Sequence, residues 1–327
     1  MGGNVSDKYR ILSIDGGGIK GIFPASFLAA IEENISGKTS EYFDLIVGSS
    51  TGGILALGIG LGYSAKEMVD FYKQLGPEIF KGNGLLKCMR RFIYAKYDNG
   101  PLKQALEKKY GKRKLGASLV RLVIPSFNIE KGEIHVYKTA HHERFKYDYK
   151  ESVVDVAMAT AAAPTYFPSY RGVSGIPLCD GGLWANNPID VAVVEAIGVL
   201  NWPANAIKVL SLGCTATPFD LKKGRNYSVG ITYWINKLPE TFMAGQSSSA
   251  IGIAKILAGN ENIIRVDPIF PNGRFKMDSI KEIESLAGLG RNEARILFEK
   301  VKDVFFDKKV DLFVPYHKEN EHQGELK

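Results

Sequence analysis

Cysteine is scarce in this sequence and is not arranged to hold a metal ion. The 327 residues include three cysteines, Cys88, Cys179 and Cys214, which are widely spaced and form no CxxC pair. Such usage is typical of a protein in a reducing compartment, and it argues against a zinc site or a disulfide framework. A chain of this length can bury a large core without either.

The sequence also lacks an uninterrupted apolar segment of membrane-spanning length. Residues 45–65 carry no charge, but six of these 21 residues are glycine and three hydroxyl residues stand at 49–51. This composition predicts a buried strand, turn and helix rather than a lipid-facing helix. The first ten residues lack the apolar core of a secretory signal, although they match the short Met-Gly-x-x-x-Ser pattern for acylation of Gly2. We read them as a solvated leader and expect a cytoplasmic protein.

Charge is plentiful but unevenly distributed. The chain has 42 basic and 35 acidic residues, for a formal net charge of +7. Residues 81–115 hold eleven basic and two acidic residues, so this segment carries +9 and the rest of the chain −2. A charge run of this kind is usually a solvated face. Because apolar side chains are interleaved with the charges, the segment would also suit an anionic lipid surface or a phosphate-bearing ligand.

Strand and helix patterns alternate along nearly the whole chain. Strands are predicted at Arg10–Asp15, Phe43–Gly48, Arg121–Asn128, Glu133–Thr139, Ile176–Cys179, Lys208–Gly213 and Asn262–Asp267. Helices are predicted from Pro24 to Gly37, from the capping box Ser64–Glu67 to Gly76-Pro77, and at Ser152–Ala163, Ile189–Leu200, Ser279–Ala287 and Arg291–Phe306. The alternation predicts an α/β protein with a mostly parallel sheet covered by helices on both faces. We expect one domain over 1–315 and a polar tail over 316–327.

The run Gly48-Ser49-Ser50-Thr51-Gly52 fits the pattern GxSxG between an apolar strand and a predicted helix. A sharp strand-to-helix turn places its central residue in a strained backbone conformation, and larger flanking side chains would clash there. Ser50 would then stand exposed at the carboxyl end of a strand, which is typical of a nucleophile.

A second glycine-rich run, Asp15-Gly16-Gly17-Gly18-Ile19-Lys20-Gly21, follows the first strand. Consecutive glycines leave backbone N–H groups free to point into a cavity, as an oxyanion hole requires. The same run satisfies GxGxxG, the dinucleotide fingerprint, and so leaves an oxidoreductase as an alternative. That alternative needs an acid at the end of the next strand, whereas Asp44 lies at the start of it. We therefore favour the oxyanion interpretation.

A serine nucleophile needs a base, and Asp180 is the candidate. It follows an apolar run and precedes two glycines, which indicates close backbone approach. The five histidines lie in charged or polar stretches and are expected at the surface: His135, His141, His142, His317 and His322. A triad of Ser50, Asp180 and His317 would have the chain order of α/β-hydrolase esterases and stays an alternative.

Together these motifs resemble the patatin-like phospholipase family. DGGGIKG resembles its oxyanion block, GSSTG its nucleophile elbow, and the Asp180 motif its catalytic aspartate block. Residues 157–168 (AMATAAAPTYFP) and 186–188 (NNP) resemble two further blocks, and all five appear in family order over about residues 10–190. The resemblance implies a three-layer patatin-like α/β fold and a lipid acyl hydrolase.

The resemblance further implies a Ser–Asp dyad that works without a metal or an organic cofactor. Ser50 would attack an ester carbonyl of a membrane phospholipid while Asp180 accepts its proton, which gives an acyl-serine intermediate. Backbone N–H groups of Gly16, Gly17 and Gly18, with that of Thr51, would hold the oxyanion.

Within the family, the opening ILSIDGGGIKG and the size resemble bacterial antiviral effector phospholipases that a cyclic dinucleotide such as cGAMP activates. The expected partners are then a phospholipid membrane surface, which the enzyme would meet peripherally at its inner face, and a cyclic dinucleotide. A homo-oligomer is a further candidate, and no nucleic-acid polymer is expected. A non-catalytic membrane-binding module that uses residues 81–115 stays an alternative.

Overall fold

The computed structural model describes residues 8–79, 95–173, 175–216, 231–270 and 274–318. The Gly2 pattern, Cys88, His322, residues 81–94 of the basic segment and most of the polar tail lie outside these ranges.

Within the described residues, eight strands form one sheet. They are β1 (Tyr9–Ile14), β2 (Leu45–Gly48), β3 (Arg121–Asn128), β4 (Glu133–Lys138), β5 (Tyr170–Arg171), β6 (Pro177–Asp180), β7 (Ile207–Leu212) and β8 (Ile263–Val266). Hydrogen bonds connect them in the order β5-β6-β3-β2-β1-β7-β8, with β4 also paired to β3. The strands β3, β2, β1, β7 and β8 are parallel, whereas β4, β5 and β6 pair antiparallel. The predicted mostly parallel sheet is confirmed.

The helices of the described residues fall largely where the periodicity predicts them. They are α1 (Ile22–Glu32), α2 (Thr51–Gly60), α3 (Ala65–Ile79), α4 (Asn99–Tyr110), α5 (Val153–Ala161), α6 (Gly182–Ala185), α7 (Ile189–Gly198), α8 (Ile231–Ala258) and α9 (Ile283–Phe305). The capping box is present: the Glu67 carboxylate accepts the Ser64 N–H at 2.8 Å, and the Ser64 hydroxyl accepts the Glu67 N–H at 3.2 Å.

Two predicted helix boundaries were wrong, because tertiary packing outweighs local breakers there. Pro77 lies inside α3, which continues to a buried Ile79. The two predicted C-terminal helices form one helix, α9. Its Gly290 lies where a side chain would overlap the carbonyl oxygen of Phe23, so this glycine permits close packing against α1 instead of ending the helix.

Alternation of side chains along β1 shows how the layers pack. Leu12 and Ile14 belong to the core formed with α1, α2 and α9. Ile11, between them in the pleat, belongs to a second core formed with α7 and the C-terminal half of α8. Each fully buried aliphatic side chain of this kind stabilises the fold by about 1.5–3 kcal/mol. Both faces of the sheet are therefore covered, which confirms the three-layer prediction.

The charge-free stretch over 45–65 forms β2, the turn after it and α2, and every residue of α2 is buried. No helix in the ranges described combines the length and the apolar character needed to cross a bilayer. The prediction of a buried strand, turn and helix is confirmed.

Strands β2 and β6 share one edge of β3. β4 pairs with both Val123 and Ser126, whereas β2 pairs with Val123 and β6 with Ser126. Since a residue in a sheet has one neighbour on each side, β4 occupies one edge of β3 and the other two strands occupy the opposite edge. β2 and β6 run in opposite directions along that edge, so their carboxyl ends face each other.

The turn after β2 is packed so tightly that Gly52 cannot carry a side chain. A Cβ there would lie against the main-chain oxygens of Ile14 and Asp15, which belong to β1 and the loop after it. We expect Gly52→Ala to lower the free energy of unfolding by about 2 kcal/mol or more. Gly252→Ala is the control, because a Cβ added to this glycine of α8 would meet no neighbouring atom within 4 Å. The control should be neutral or stabilising in chemical denaturation, and similar destabilisation by both changes would contradict the packing argument.

Candidate active site

Ser50 stands in the sharp turn between β2 and α2. Its backbone dihedral angles are φ 55° and ψ −123°, a conformation that side-chain-bearing residues rarely adopt. A Cβ on Gly48 would overlap the Gly52 carbonyl, so the flanking glycines allow the turn to close. The structure therefore has the strand, strained serine and helix that GSSTG predicted.

Asp180, the last residue of β6, meets Ser50. The Ser50 hydroxyl donates to Asp180 Oδ2 at 2.6 Å, and the Gly182 N–H donates to Oδ1 at 2.6 Å. Only 4% of Asp180 is exposed. Burial raises the pKa of this carboxyl group from 3.8 to about 6, while the two hydrogen bonds oppose the increase. The group is thus a stronger base than an ordinary aspartate and is already positioned to take the serine proton.

Thr160 holds the turn and was not singled out from the sequence. Its hydroxyl donates to the Pro125 carbonyl of β3 at 2.5 Å and accepts the Ser50 N–H at 3.0 Å. The Asp180 N–H donates to the Ala162 carbonyl at 3.1 Å, just beyond α5. The end of α5 therefore fixes the backbones of both members of the pair. The signal for Thr160 in the sequence was a hydroxyl residue near the end of an alanine-rich helix, whose other polar residue, Asp155, lies in the first turn.

The glycine loop after β1 lies beside Ser50, but Gly16 does not offer a free donor. The Gly16 N–H donates to the Asn186 carbonyl at 2.9 Å, contrary to the expectation that it contributes to an oxyanion hole. The Gly17 N–H has no acceptor among the residues described, and Gly18 adopts φ +61°. The Thr51 N–H begins α2 and has no partner within that helix.

The start of the glycine loop is fixed by an ion pair that the sequence did not reveal. Arg265 on β8 reaches across β7 to both carboxylate oxygens of Asp15, at 2.8 and 2.5 Å, and also contacts Ser211 and Asp267. Burial raises the pKa of Asp15 to about 6, and the contact with Arg265 opposes that shift. A bidentate contact of this kind fixes position as well as charge. It therefore anchors the residue that precedes Gly16.

The main chain at Met277 packs against the glycine loop at Gly18 and Ile19. The Ile19 N–H donates to the Met277 carbonyl at 2.8 Å, and a Cβ on Gly18 would overlap the same carbonyl oxygen. A dinucleotide pyrophosphate would need this helix start for its own oxygens. The contact of Met277 with this loop therefore argues against dinucleotide binding by the GxGxxG run.

His317, the histidine of the triad alternative, lies away from the pair. His317 contacts the Glu143 carbonyl at 2.7 Å and stacks on Tyr149. The N–H of its neighbour Tyr316 donates to the Ala140 carbonyl, beyond the end of β4 at the amino edge of the parallel strands. The structure thus gives the Ser–Asp–His alternative no support.

The prediction that His141 is a surface residue was wrong. The residue is 4% exposed and its imidazole contacts Glu195 at 2.9 Å, and Lys138 also contacts this carboxylate, at 2.6 Å. These side chains satisfy one another in a buried cluster, and burial lowers the pKa of His141.

The described part of the basic segment makes contacts within the chain. Lys96 pairs with Asp278, Lys109 donates to the Glu67 carbonyl at 3.2 Å, and Arg113 donates to the Tyr63 hydroxyl at 2.9 Å. These cations have structural partners, so the ligand-binding interpretation would depend on the other basic residues of the segment.

Comparison with known proteins identifies the family of this chain. A model of the family described as patatin-like phospholipase matches residues 12–193. The chain is 31% identical over 280 residues to a "cGAMP-activated phospholipase" of Pseudomonas aeruginosa, which covers 85% of this chain and 82% of that protein. It is also 31% identical over 333 residues to a protein of the same name from Vibrio cholerae, with 91% and 94% covered. The solved structure of VipD from Legionella pneumophila aligns with 90% of this chain and 67% of its own, at 12% identity and a TM-score of 0.45.

The family match covers more than half of the chain, and the two relatives extend the similarity over most of it. The matched region contains the glycine loop, the Ser50 turn and Asp180. The chain belongs to the patatin-like phospholipase family.

Proposed function

We propose that this protein hydrolyses fatty acyl esters of membrane phospholipids through a dyad of Ser50 and Asp180. The observation that supports this most directly is the 2.6 Å hydrogen bond from a strained serine hydroxyl to a buried carboxylate of raised pKa. Because the serine hydroxyl donates directly to the carboxylate, the pair needs neither a histidine nor a third residue to orient one.

In the first half of the reaction, the Ser50 oxygen attacks the ester carbonyl carbon as its proton passes to Asp180. The carbonyl oxygen becomes an oxyanion, for which the N–H groups of Gly17, Gly18 and Thr51 are the proposed donors. Collapse breaks the ester bond. The leaving alcohol of the lysophospholipid takes the proton from Asp180, and the fatty acyl group stays on Ser50.

In the second half, water replaces the lysophospholipid. Asp180 accepts a proton from the water molecule as it attacks the acyl carbonyl, and the same donors hold the second oxyanion. Its collapse releases the fatty acid, and the proton returns to the Ser50 oxygen. One phospholipid and one water thus give one lysophospholipid and one fatty acid.

The proposal includes a switch. The names of the Pseudomonas and Vibrio relatives state activation by cGAMP, and the similarity covers most of each protein. We extend that regulation to this chain: a cyclic dinucleotide turns on an otherwise inactive enzyme, which then degrades the cell's own inner membrane from the cytoplasmic side as an antiviral response. A resting state of low activity is required because an unregulated phospholipase would attack that membrane continuously.

Ser50→Ala and Asp180→Asn should each lower fatty-acid release from phospholipid vesicles by about 10³-fold or more, because they remove the nucleophile and the base. Release is measured by chromatography of the free fatty acid. The matched control is Ser49→Ala, since the buried Ser49 hydroxyl has no hydrogen-bond partner in the part of the chain described. Its activity should stay within about fivefold of wild type. Retention of activity by Asp180→Asn would contradict the dyad.

The pH dependence follows from the raised pKa of Asp180. Its carboxylate must be unprotonated to act as base, so kcat/KM should fall below about pH 6 and level off above pH 7. With a pKa of about 6, about one tenth of the enzyme would be active at pH 5.

Asp15 also has a pKa raised to about 6, so the profile alone does not identify the titrating group. The Asp15→Asn variant separates the two candidates. It should be less active overall but keep the same loss of activity between pH 7 and pH 5. A flat profile in this variant would assign the titration to Asp15 instead.

Hydrolysis should depend on a cyclic dinucleotide. We expect one member of a panel that includes cGAMP to raise fatty-acid release at least tenfold in wild type. The same nucleotide should cause no fatty-acid release in Ser50→Ala. The linear mononucleotides AMP and GMP are the control and should have no effect. Full Ser50-dependent release without any nucleotide would remove the switch from the proposal and leave a constitutive lipase.

A further inference from the structure

Helix α8 passes the active site at mid-length. It connects the parallel strands β7 and β8, so it runs from the carboxyl edge of the sheet back to the amino edge. The Gln246 side chain accepts the Asn187 N–H and donates to the Asn187 carbonyl, both at 3.0 Å. The preceding residue, Asn186, holds Gly16 beside Ser50. Gln246 therefore marks the level of the site along α8.

The two halves of α8 differ in what lies beside them. From Gln246 to Ala258 the helix descends about 18 Å, which is comparable to the length of the strands it crosses. The part before Gln246 adds about 22 Å and continues past the carboxyl edge of the sheet. We call residues 238–245 the projecting segment.

Exposed apolar side chains occur in both halves, and those of the lower half are Ile253, Ile256 and Leu257. In the lower half, Ala250, Ala254 and Ala258 are buried in the core formed with α7. In the projecting segment, Phe242 is 69% exposed and Leu238, one turn away on the same face, is 40% exposed. The segment reads LPETFMAG and has one charged residue. An exposed apolar surface with so little charge marks an interaction site.

A third exposed apolar side chain connects this surface to the catalytic pair. Leu183 on α6 is 52% exposed, and α6 packs against α8. Leu183 directly follows Gly182, whose N–H holds Asp180. Apolar side chains on two adjacent helices are thus exposed at the edge where Ser50 and Asp180 meet.

We propose that the projecting segment and Leu183 dock this protein on a phospholipid bilayer, with Ser50 turned toward the acyl esters of that surface. This inference rests on the proposed phospholipase function. The esters of a phospholipid lie just below its head groups, so an enzyme reaches them when the edge that bears its nucleophile meets the membrane. Aromatic and aliphatic side chains on a weakly charged helix partition into that interfacial region.

The experiment compares Phe242→Asp with Ile256→Asp. Ile256 lies on the same helix and is 84% exposed, but it is about 21 Å further along, toward the amino edge of the sheet. Each variant is assayed on vesicles of phosphatidylglycerol and phosphatidylethanolamine, and on dispersed p-nitrophenyl butyrate, with the cyclic dinucleotide that activates wild type, if one does. Leu238→Asp provides a second variant of the docking surface should Phe242→Asp fail to fold.

Phe242→Asp should lower phospholipid hydrolysis at least tenfold and lower co-flotation with vesicles, while butyrate hydrolysis stays within twofold. Ile256→Asp should leave all three within twofold of wild type. Equal losses in the two variants, or unchanged flotation of Phe242→Asp, would overturn the proposal. A change of mass in sedimentation velocity without a change of flotation would also overturn it, because the segment would then contact a second copy of the chain.

Flotation is repeated in the Ser50→Ala background, where no lipid is cleaved. Phe242-dependent flotation there supports docking independently of catalysis. If wild type floats in this manner but cleaves neither substrate, the proposed hydrolysis fails while the docking surface stands.

Discussion

The candidate active site depends on β3 being longer than its parallel neighbour β2. β2 pairs with β3 as far as Val123. From Ser126 onward, β6 pairs with the same edge of β3 and runs in the opposite direction. The carboxyl ends of the two strands therefore face each other across a short gap, with Ser50 after one and Asp180 at the end of the other. Backbone pairing alone brings these residues together, and Thr160 keeps the gap at hydrogen-bonding distance. Loss of register in β6 would move the base away from the nucleophile.

The burial that follows from this arrangement raises the pKa of Asp180. The carboxylate at the end of β6 is buried and loses water, and its two hydrogen bonds restore only part of the lost solvation. Its pKa therefore rises to about 6, close enough to neutral pH for general-base catalysis while the carboxylate form still predominates. Within the residues described, the histidines lie elsewhere or pair with other groups, and the dyad geometry does not require one.

Around the proposed dyad, long-range contacts position the glycine loop and helix α8. Arg265 on β8 anchors Asp15 and with it the beginning of the glycine loop, and the Asn186 carbonyl occupies the Gly16 N–H. Gln246 connects the following asparagine to α8. α8 thus has two roles: the buried alanines of its lower half complete the core with α7, whereas Phe242 and Leu238 of the projecting segment are exposed beside the site. This separation would allow the projecting segment to meet a membrane without disturbing the core.

The sequence by itself determined the local pieces. GSSTG encodes a strained turn through its glycines, and the glycines after Asp180 permit its tight turn, because each depends on neighbours in the chain. The alternation of strand and helix patterns along the chain encodes a sheet covered by helices on both faces. Only the tertiary structure decided that Thr160 supports Ser50, that Gly16 is occupied, that His141 is buried, and that α9 runs through its glycines. These outcomes come from contacts between residues far apart in sequence, which no local pattern or periodicity encodes.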